Sequence, residues 1–345
     1  MTETLFHGRL AFQVENDLIR LTVLAEGGHI AEILEKSTGV NPLWLPPWQT
    51  VEISEWSPEA NPEFGNDCES KLLAGIMGHN LCLDLFGPPS EAEIRAGVVA
   101  HAEGSWVPYS FAVPLSPAAG DGFTAACQLN DSQLAFERQF RLEGRRVLIR
   151  ETVQNLSPLD RPIGWTQHVT LGPPFLENGK TEFRMPATKS RAIGETTDFD
   201  WPLWPQGENV RDLRVFPADG PSSGYTAHLM DPGEARSYWV GWSPASNVAI
   251  GYVWNRQEFP WLGIWEENCG RTHTPWLGRT KTRGMEFGVS PFPETRQQMI
   301  DRGSMYGVPG YKWIPGQGRL TAEYYAAIAP ASSIPESLQE FEALL

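Results

Sequence analysis

Apolar and polar positions alternate along most of this chain. Leu10, Phe12 and Val14 alternate, Glu15-Asn16-Asp17 turns the chain, and Ile19, Leu21 and Val23 alternate again before Gly27-Gly28 interrupts and Ile30–Leu34 resumes. Period-two patterning between polar turns predicts antiparallel β-strands. Residues 123–155 carry the clearest stretch, with turns at Asn130-Asp131 and Glu143-Gly144 and alternation at Val147, Ile149, Glu151 and Val153; Phe136, Arg138 and Phe140 leave the facing of their strand open. The turn Asn155–Pro158 leads into a second run that ends at Gly172-Pro173-Pro174. Further strands are predicted at 238–242, 247–254, 259–267, 282–292 and 319–329. Residues 41–62, with Trp44, Trp48 and Trp56, lose the pattern, and a long loop of this kind is often functional. Residues 178–235 read as irregular, with a Trp/Pro loop at 201–210, and only 333–345 carries a cap and a helical period. No linker or repeat divides the chain. The expectation is one all-β domain over residues 1–345, antiparallel, with few short helices.

Composition narrows the partners. The chain has 345 residues, with 27 Lys+Arg against 42 Asp+Glu, a net charge of −15. That balance argues against a nucleic-acid partner, which needs clustered cations, and against an anionic membrane surface. No apolar stretch approaches the ~20 residues of a spanning helix. The N-terminal residues MTETLFHGRL lack the basic and apolar regions of a secretory signal. Cys68, Cys82, Cys127 and Cys269 show no zinc-like spacing, and a reducing cytoplasmic compartment is the simple expectation. The 14 tryptophans hint at stacking on sugar faces, although packing in a large sandwich is the commoner use of such rings.

Two strands carry candidate chemistry. Around Glu286, alternation puts Gly284, Glu286 and Gly288 on one face and Met285, Phe287 and Val289 on the other. Glycine in a strand can mark the close approach of a ligand, so this carboxylate is expected to have open space around it. Around His168, alternation groups Gly164, Thr166, His168 and Thr170 against Trp165, Gln167, Val169 and Leu171. Histidine is the side chain best placed to exchange a proton near neutral pH. His101 and Glu103 would share a face if their segment is a strand. A histidine and a glutamate without a nucleophile motif suit general acid–base chemistry on a neutral substrate.

These elements, in this order, resemble the galactose mutarotase-like superfamily of aldose 1-epimerases and their relatives. QLAFERQFRLEGRRVLIRETVQNLSPLDRPIGWTQHVTLGPPF is similar to the family's central block and maps its catalytic histidine to His168. AHAEGSW resembles an upstream element and makes His101 the second histidine. RGMEFGVSPFPE resembles the strand of the catalytic glutamate, mapping to Glu286. The upstream element reads His101-Ala102-Glu103-Gly104 where the family has His-Gly. The family's sugar-binding arginine is missing from residues 71–89, where His79 and Asn80 stand in the comparable place, and Asp231 is the candidate for its binding aspartate. The resemblance implies a large antiparallel β-supersandwich with the site in a groove on one sheet. It implies a small-molecule sugar as partner, with Trp44 and Trp265 stacking on it, no cofactor or metal, and a monomer or homodimer. In the implied isomerase reaction Glu286 takes the anomeric proton, His168 protonates the ring oxygen, and the two face each other a sugar ring apart. A sugar-binding protein without activity, or a lyase or glycosidase on a similar sandwich, are the alternatives.

Overall fold

The alternating runs become two large antiparallel sheets in the computed structural model, which describes residues 1–113, 122–218 and 220–345. The first sheet has 12 strands. Its path runs Thr2–Phe6, Arg9–Glu15, Ile19–Leu24, Ile30–Glu35, His79–Asp84, Arg161–Leu171, Lys281–Gly288, Trp261–Asn268, Ser222–Met230, Ala187–Ala192, Asp198–Asp200, with Lys312–Ile314 pairing beside Arg161–Leu171. The second has 8 strands: Glu182–Arg184, Arg236–Ser243, Val248–Asn255, Arg319–Pro330, Arg146–Asn155, Leu134–Glu143, Gly122–Leu129 and Ser110–Ala112. The two pack face to face, as expected of a sandwich. Trp165, Val169, Leu262, Met285 and Phe287 of the first sheet meet Phe136, Phe140, Ile149, Tyr252 and Trp254 of the second in one buried cluster. The strand pair that brackets the candidate chemistry is thus anchored by its inward-facing residues.

A buried polar network runs through this apolar layer. Arg138 is inward, like Phe136 and Phe140, and its Nε donates to Glu151 Oε1 at 2.6 Å. Trp165 Nε1 and Gln167 Nε2 donate to the other Glu151 oxygen at 2.9 and 2.6 Å, and Tyr324 donates its hydroxyl to Oε1 at 2.7 Å. The facing of the Arg138 strand is hidden in the sequence because a charged side chain occupies a core position, where burial is tolerated only with full pairing.

Several expectations are corrected. Apart from residue 219, which lies outside the described residues, the segment 178–235 is largely stranded: it holds a strand of the second sheet, three of the first, and the hairpin Leu203–Gln206 with Asn209–Asp212. Ser222–Met230 escaped notice because it is buried on both faces over Tyr225–Met230, which removes the polar alternation. Short α-helices occur at Ser70–Gly75, Glu91–Arg95 and Arg296–Arg302 as well as at Leu338–Glu342; they are too short for a helical period to stand out, although Ser90 and Thr295 form capping boxes. His101 and Glu103 do not share a strand. His101 and Ala102 adopt positive φ (63° and 59°), and Glu103–Ser105 is a 3₁₀ turn. All four cysteines are free, and no helix among the described residues is long and apolar enough to cross a membrane.

Four buried histidines and the half-buried His101 make the fold acid-sensitive. Burial pushes His29 and His228 down to about 3 and His101 to about 4, and holds His79 and His168 well below 6.5. The unfolded chain takes up these protons as pH falls through about 6.5, while the folded chain does not. Their contribution is therefore present above that pH and lost as pH falls toward 4. The melting temperature is expected to drop steadily between about pH 7 and pH 4; a flat profile over that range contradicts this account.

Candidate active site

The register of the first sheet sets His168 beside Glu286. Thr166 pairs with Gly288 and Thr170 with Gly284, so the residues between them, His168 and Glu286, stand opposite. Asn80 pairs with His168 on the other side, and Gly263 with Glu286. Side chains of paired residues share a face, which makes a row across four strands. His168 Nε2 lies 3.1 Å from Glu286 Oε1. The contact is close without being aligned as a hydrogen bond, since Glu286 Oε1 has no hydrogen-bond partner. His168 Nδ1, Asn80 Nδ2 and Thr166 Oγ1 on the same face are also buried and unpartnered.

Glycines make room for this row. A Cβ on Gly284 would collide with the Glu286 carboxylate, which lies over it, and a Cβ on Gly263 would collide with the Tyr225 hydroxyl. Tyr225 uses the space to donate to the Pro291 carbonyl at 3.0 Å.

His101 reaches the row from a loop. The Phe86–Gly87 segment holds it: His101 N donates to Gly87 O at 3.0 Å, and Gly87 N donates to His101 Nδ1 at 3.3 Å. An Nδ1 that accepts leaves the neutral ring's proton on Nε2. The His101 and His168 ring centres are 5.2 Å apart, and Trp265 lies 5.9 Å from His168.

His168, His101 and Glu286 open into one cavity of about 330 Å³, walled largely by Phe86, Tyr225, Trp265 and Trp276. Burial, with a smaller push from His101, holds His168 well below the ordinary histidine value, and burial holds Glu286 well above the ordinary carboxylate value. Both shifts favour the neutral forms: a carboxylic acid beside an uncharged imidazole. No cluster of three or more His, Cys, Asp or Glu arranged to hold a metal occurs among the described residues.

The other expected binding residues scatter. Trp265 lines the cavity, and Asn80 sits next to His168 in the row. His79 points the other way, into the polar network, where its Nε2 is 2.9 Å from Gln167 Oε1 and its Nδ1 3.2 Å from the Tyr252 hydroxyl; successive strand residues face opposite sides, so Asn80 and His79 cannot both reach the site. Trp44 lies behind the wall, stacked on Trp276 at 6.3 Å and edge-on to Trp265. Asp231 is in a turn, accepting from Gly233 N at 2.8 Å, and does not line the cavity. His168 and Glu286 share a face as expected, but in contact rather than a ring's width apart. Sequence reasoning missed Tyr225, Trp276, Glu69 and Arg271. Arg271 supplies a cavity-lining arginine from a different part of the chain, and only its place between two tryptophans in sequence, Trp265 and Trp276, could have drawn notice.

No protein-family model matches the chain, and no curated protein sequence does either. Solved structures do. The chain superposes on a candidate aldose 1-epimerase from Klebsiella pneumoniae with a TM-score of 0.71 at 14% identity, over 98% of this chain and 82% of that one. A galactose mutarotase-like protein from Clostridium acetobutylicum gives 0.65 at 13% identity, over 95% and 98%. A galactose mutarotase related enzyme from Lactobacillus acidophilus gives 0.60 at 12%, over 94% and 99%. The fold is therefore the galactose mutarotase-like β-sandwich.

Replacing Gly263 with Ala would force Tyr225 off the Pro291 carbonyl. A cost of about 1–3 kcal/mol is expected from overpacking, read as a lowered urea midpoint, while Gly310→Ala, where the added carbon meets only ordinary contacts and φ is not positive, tests glycine replacement without a collision. Equal losses in both variants would contradict the packing account.

Proposed function

We propose that this protein is an aldose 1-epimerase-like isomerase that interconverts the α and β anomers of a sugar by general acid–base catalysis. The observation that carries the reading is the His168–Glu286 contact at 3.1 Å inside an aromatic cavity. Mutarotation must remove the proton of the anomeric hydroxyl and add one to the ring oxygen. Both oxygens are bonded to the same carbon, so the acid and the base that serve them stand side by side. A ring's width between them, as a simpler picture suggests, would separate them too far.

The pair carries one shared proton through the reaction. That proton first passes from Glu286 to His168 across their contact; Glu286 as carboxylate then takes the proton from the anomeric oxygen while protonated His168 gives one to the ring oxygen, and the C1–O5 bond opens. This leaves the pair as carboxylic acid and neutral imidazole, the form that burial favours. After rotation about C1–C2 the ring oxygen returns its proton to His168 as it attacks C1, and Glu286 protonates the new anomeric hydroxyl. Each half-reaction is the reverse of the other on the opposite face, and the pair ends as it began once the shared proton has passed back to Glu286. The electrostatics thus favour the open-chain intermediate's proton arrangement. His101, which carries its own proton on Nε2, is a donor toward the sugar oxygens.

Anomer exchange followed by NMR on a panel of aldoses tests the reading. Glu286→Gln and His168→Asn are each expected to lower the catalysed rate by roughly 10²–10⁴-fold. Sugar binding without exchange by the wild-type protein would leave a binding protein instead. The acid limb of the rate profile is expected well below the ordinary histidine value, because His101 is held to about 4 and His168 is depressed as well; loss of activity centred near pH 6.5 would contradict the assigned histidines.

A further inference from the structure

Among the described residues the cavity has one lining arginine and no lining lysine. The Arg271 guanidinium lies 4.6 Å from the Trp276 ring centre and 5.6 Å from that of Trp265. Its Nε is 3.5 Å from Glu267 Oε2 and its Nη1 3.9 Å from Glu69 Oε2. Glu267 is fully buried and also accepts from the backbone N–H groups of Gly270 and Arg271 at 2.5 and 2.9 Å, so the carboxylate shapes the turn that delivers the arginine. Glu69 is half exposed at the mouth. Two carboxylates therefore answer one cation, on a chain whose net charge is −15. A phosphate or carboxylate entering here meets a guanidinium already paired and stacked, and an acidic field around it.

The remaining wall is poor in partners for hydroxyl groups. Beyond the acid–base row it is largely apolar, with Leu72, Leu73, Ile76, Phe86, Trp276 and Pro293 among its residues; its two hydroxyl-bearing side chains are Ser223 and Tyr225, and Tyr225 already donates to the Pro291 carbonyl. Trp276 keeps its indole Nε1 buried. Trp276 is stacked between Arg271 and Trp44, with Trp48 edge-on at 5.1 Å. A sugar hydroxyl pressed against such a wall loses its water without a replacement bond, whereas a C–H or methyl group gains by the same contact. The volume, about 330 Å³, is at the lower end of the ~300–1,000 Å³ of ordinary ligand pockets, which suits one or two sugar units.

From this we infer that the cavity takes an uncharged sugar with an apolar flank, such as a 6-deoxyaldose, and that the Glu69–Arg271–Glu267 cluster turns away phosphorylated and carboxylated sugars. The inference rests on the reading of the site as a sugar cavity and names the class of sugar.

A matched series that differs only at C6 tests it: 6-deoxyglucose, glucose, glucose 6-phosphate and glucuronate. Binding is read by saturation-transfer NMR competition and turnover by anomer exchange in the same samples. The deoxy sugar is expected to bind roughly tenfold more tightly than glucose, the affinity equivalent of one buried hydroxyl without a partner, and the two anions more weakly than glucose. Binding of the 6-phosphate or the uronate as tight as glucose, or glucose ahead of its deoxy form, overturns the inference, and exchange of the anions alone would do so while leaving the epimerase reading intact. Binding in the expected order with no exchange of any sugar supports the inference and defeats the epimerase reading. Binding of none overturns the inference. Glu69→Lys places a cation at the mouth without removing a helix cap, since Glu69 makes no capping bond. It is expected to raise 6-phosphate binding relative to the deoxy sugar by about tenfold; unaltered discrimination would remove the cluster from the account.

Discussion

The position of His168 depends on an ion pair on the other side of its strand. Arg138 and Glu151 are fully buried between the sheets at 2.6 Å, and Gln167 bonds to both of them, accepting from Arg138 Nη2 at 3.0 Å and donating to Glu151. A buried ion pair is a poor source of stability but a strict one for geometry, because leaving either charge unpaired costs about 3–5 kcal/mol. Gln167 and His168 are neighbours on one strand and point to opposite faces. A slip of one residue would withdraw Gln167 from the pair and drive His168 into the apolar layer. The same strand sends Trp165 to Glu151 at 2.9 Å, so two successive inward positions are held by one carboxylate. Register on the candidate site's face is thereby set from the core, with no need for ligand contacts to define it.

The two histidines of this region show how core and site differ. His79 has both ring nitrogens bonded, to Gln167 and to Tyr252. His168 is similarly buried, yet its Nδ1 has no partner, and neither do Asn80 Nδ2 and Glu286 Oε1 around it. Both rings are neutral for the same reason, burial, so the shift alone does not separate them. Satisfaction does. Native interiors leave few buried polar atoms unpaired, and here several of them share one face beside the cavity.

Much of the central pair was legible in the sequence because alternation is a local property. Glu286 between Gly284 and Gly288, and His168 between Thr166 and Thr170, lie on strands whose other faces are apolar or aromatic apart from Gln167, and the facing predicted from that pattern is the facing found. The glycines do not leave the open space their pattern suggests: the Glu286 carboxylate lies over Gly284 and Thr166 packs on Gly288. Legibility ended where placement depends on distant chain segments. His101 reaches the row from a positive-φ loop, not a strand, and the Ser222–Met230 strand is buried on both faces over the residues that carry Tyr225. His79 and Asn80 are neighbours on one strand and point to opposite faces, and the bend at Gly78 hides from the local sequence which of them faces the site. Arg271 comes from a turn shaped by Glu267, and nothing in the local sequence states that it will meet the cavity.

The tryptophans around the cavity pack against one another. Trp44, taken as a sugar platform, is 1% exposed and stands behind Trp276 with nearly parallel rings, 8° apart. Trp48 fixes itself by donating its indole N–H to the Leu73 carbonyl at 3.0 Å, which ties the 41–62 loop to the helix that contributes Leu72 and Leu73 to the cavity. Trp265 alone joins the layer to the row beside His168. Stacked and edge-on aromatic pairs add about 0.5–1.5 kcal/mol each beyond burial, and here those increments serve stiffness. A wall that cannot yield keeps Glu286 away from water, and it is this dryness, more than any charged neighbour, that raises the carboxyl's pKa. The irregular Trp/Pro loop is thus tied to the proposed chemistry without touching its substrate: it holds the aromatic wall against which the protonation state of the row is set.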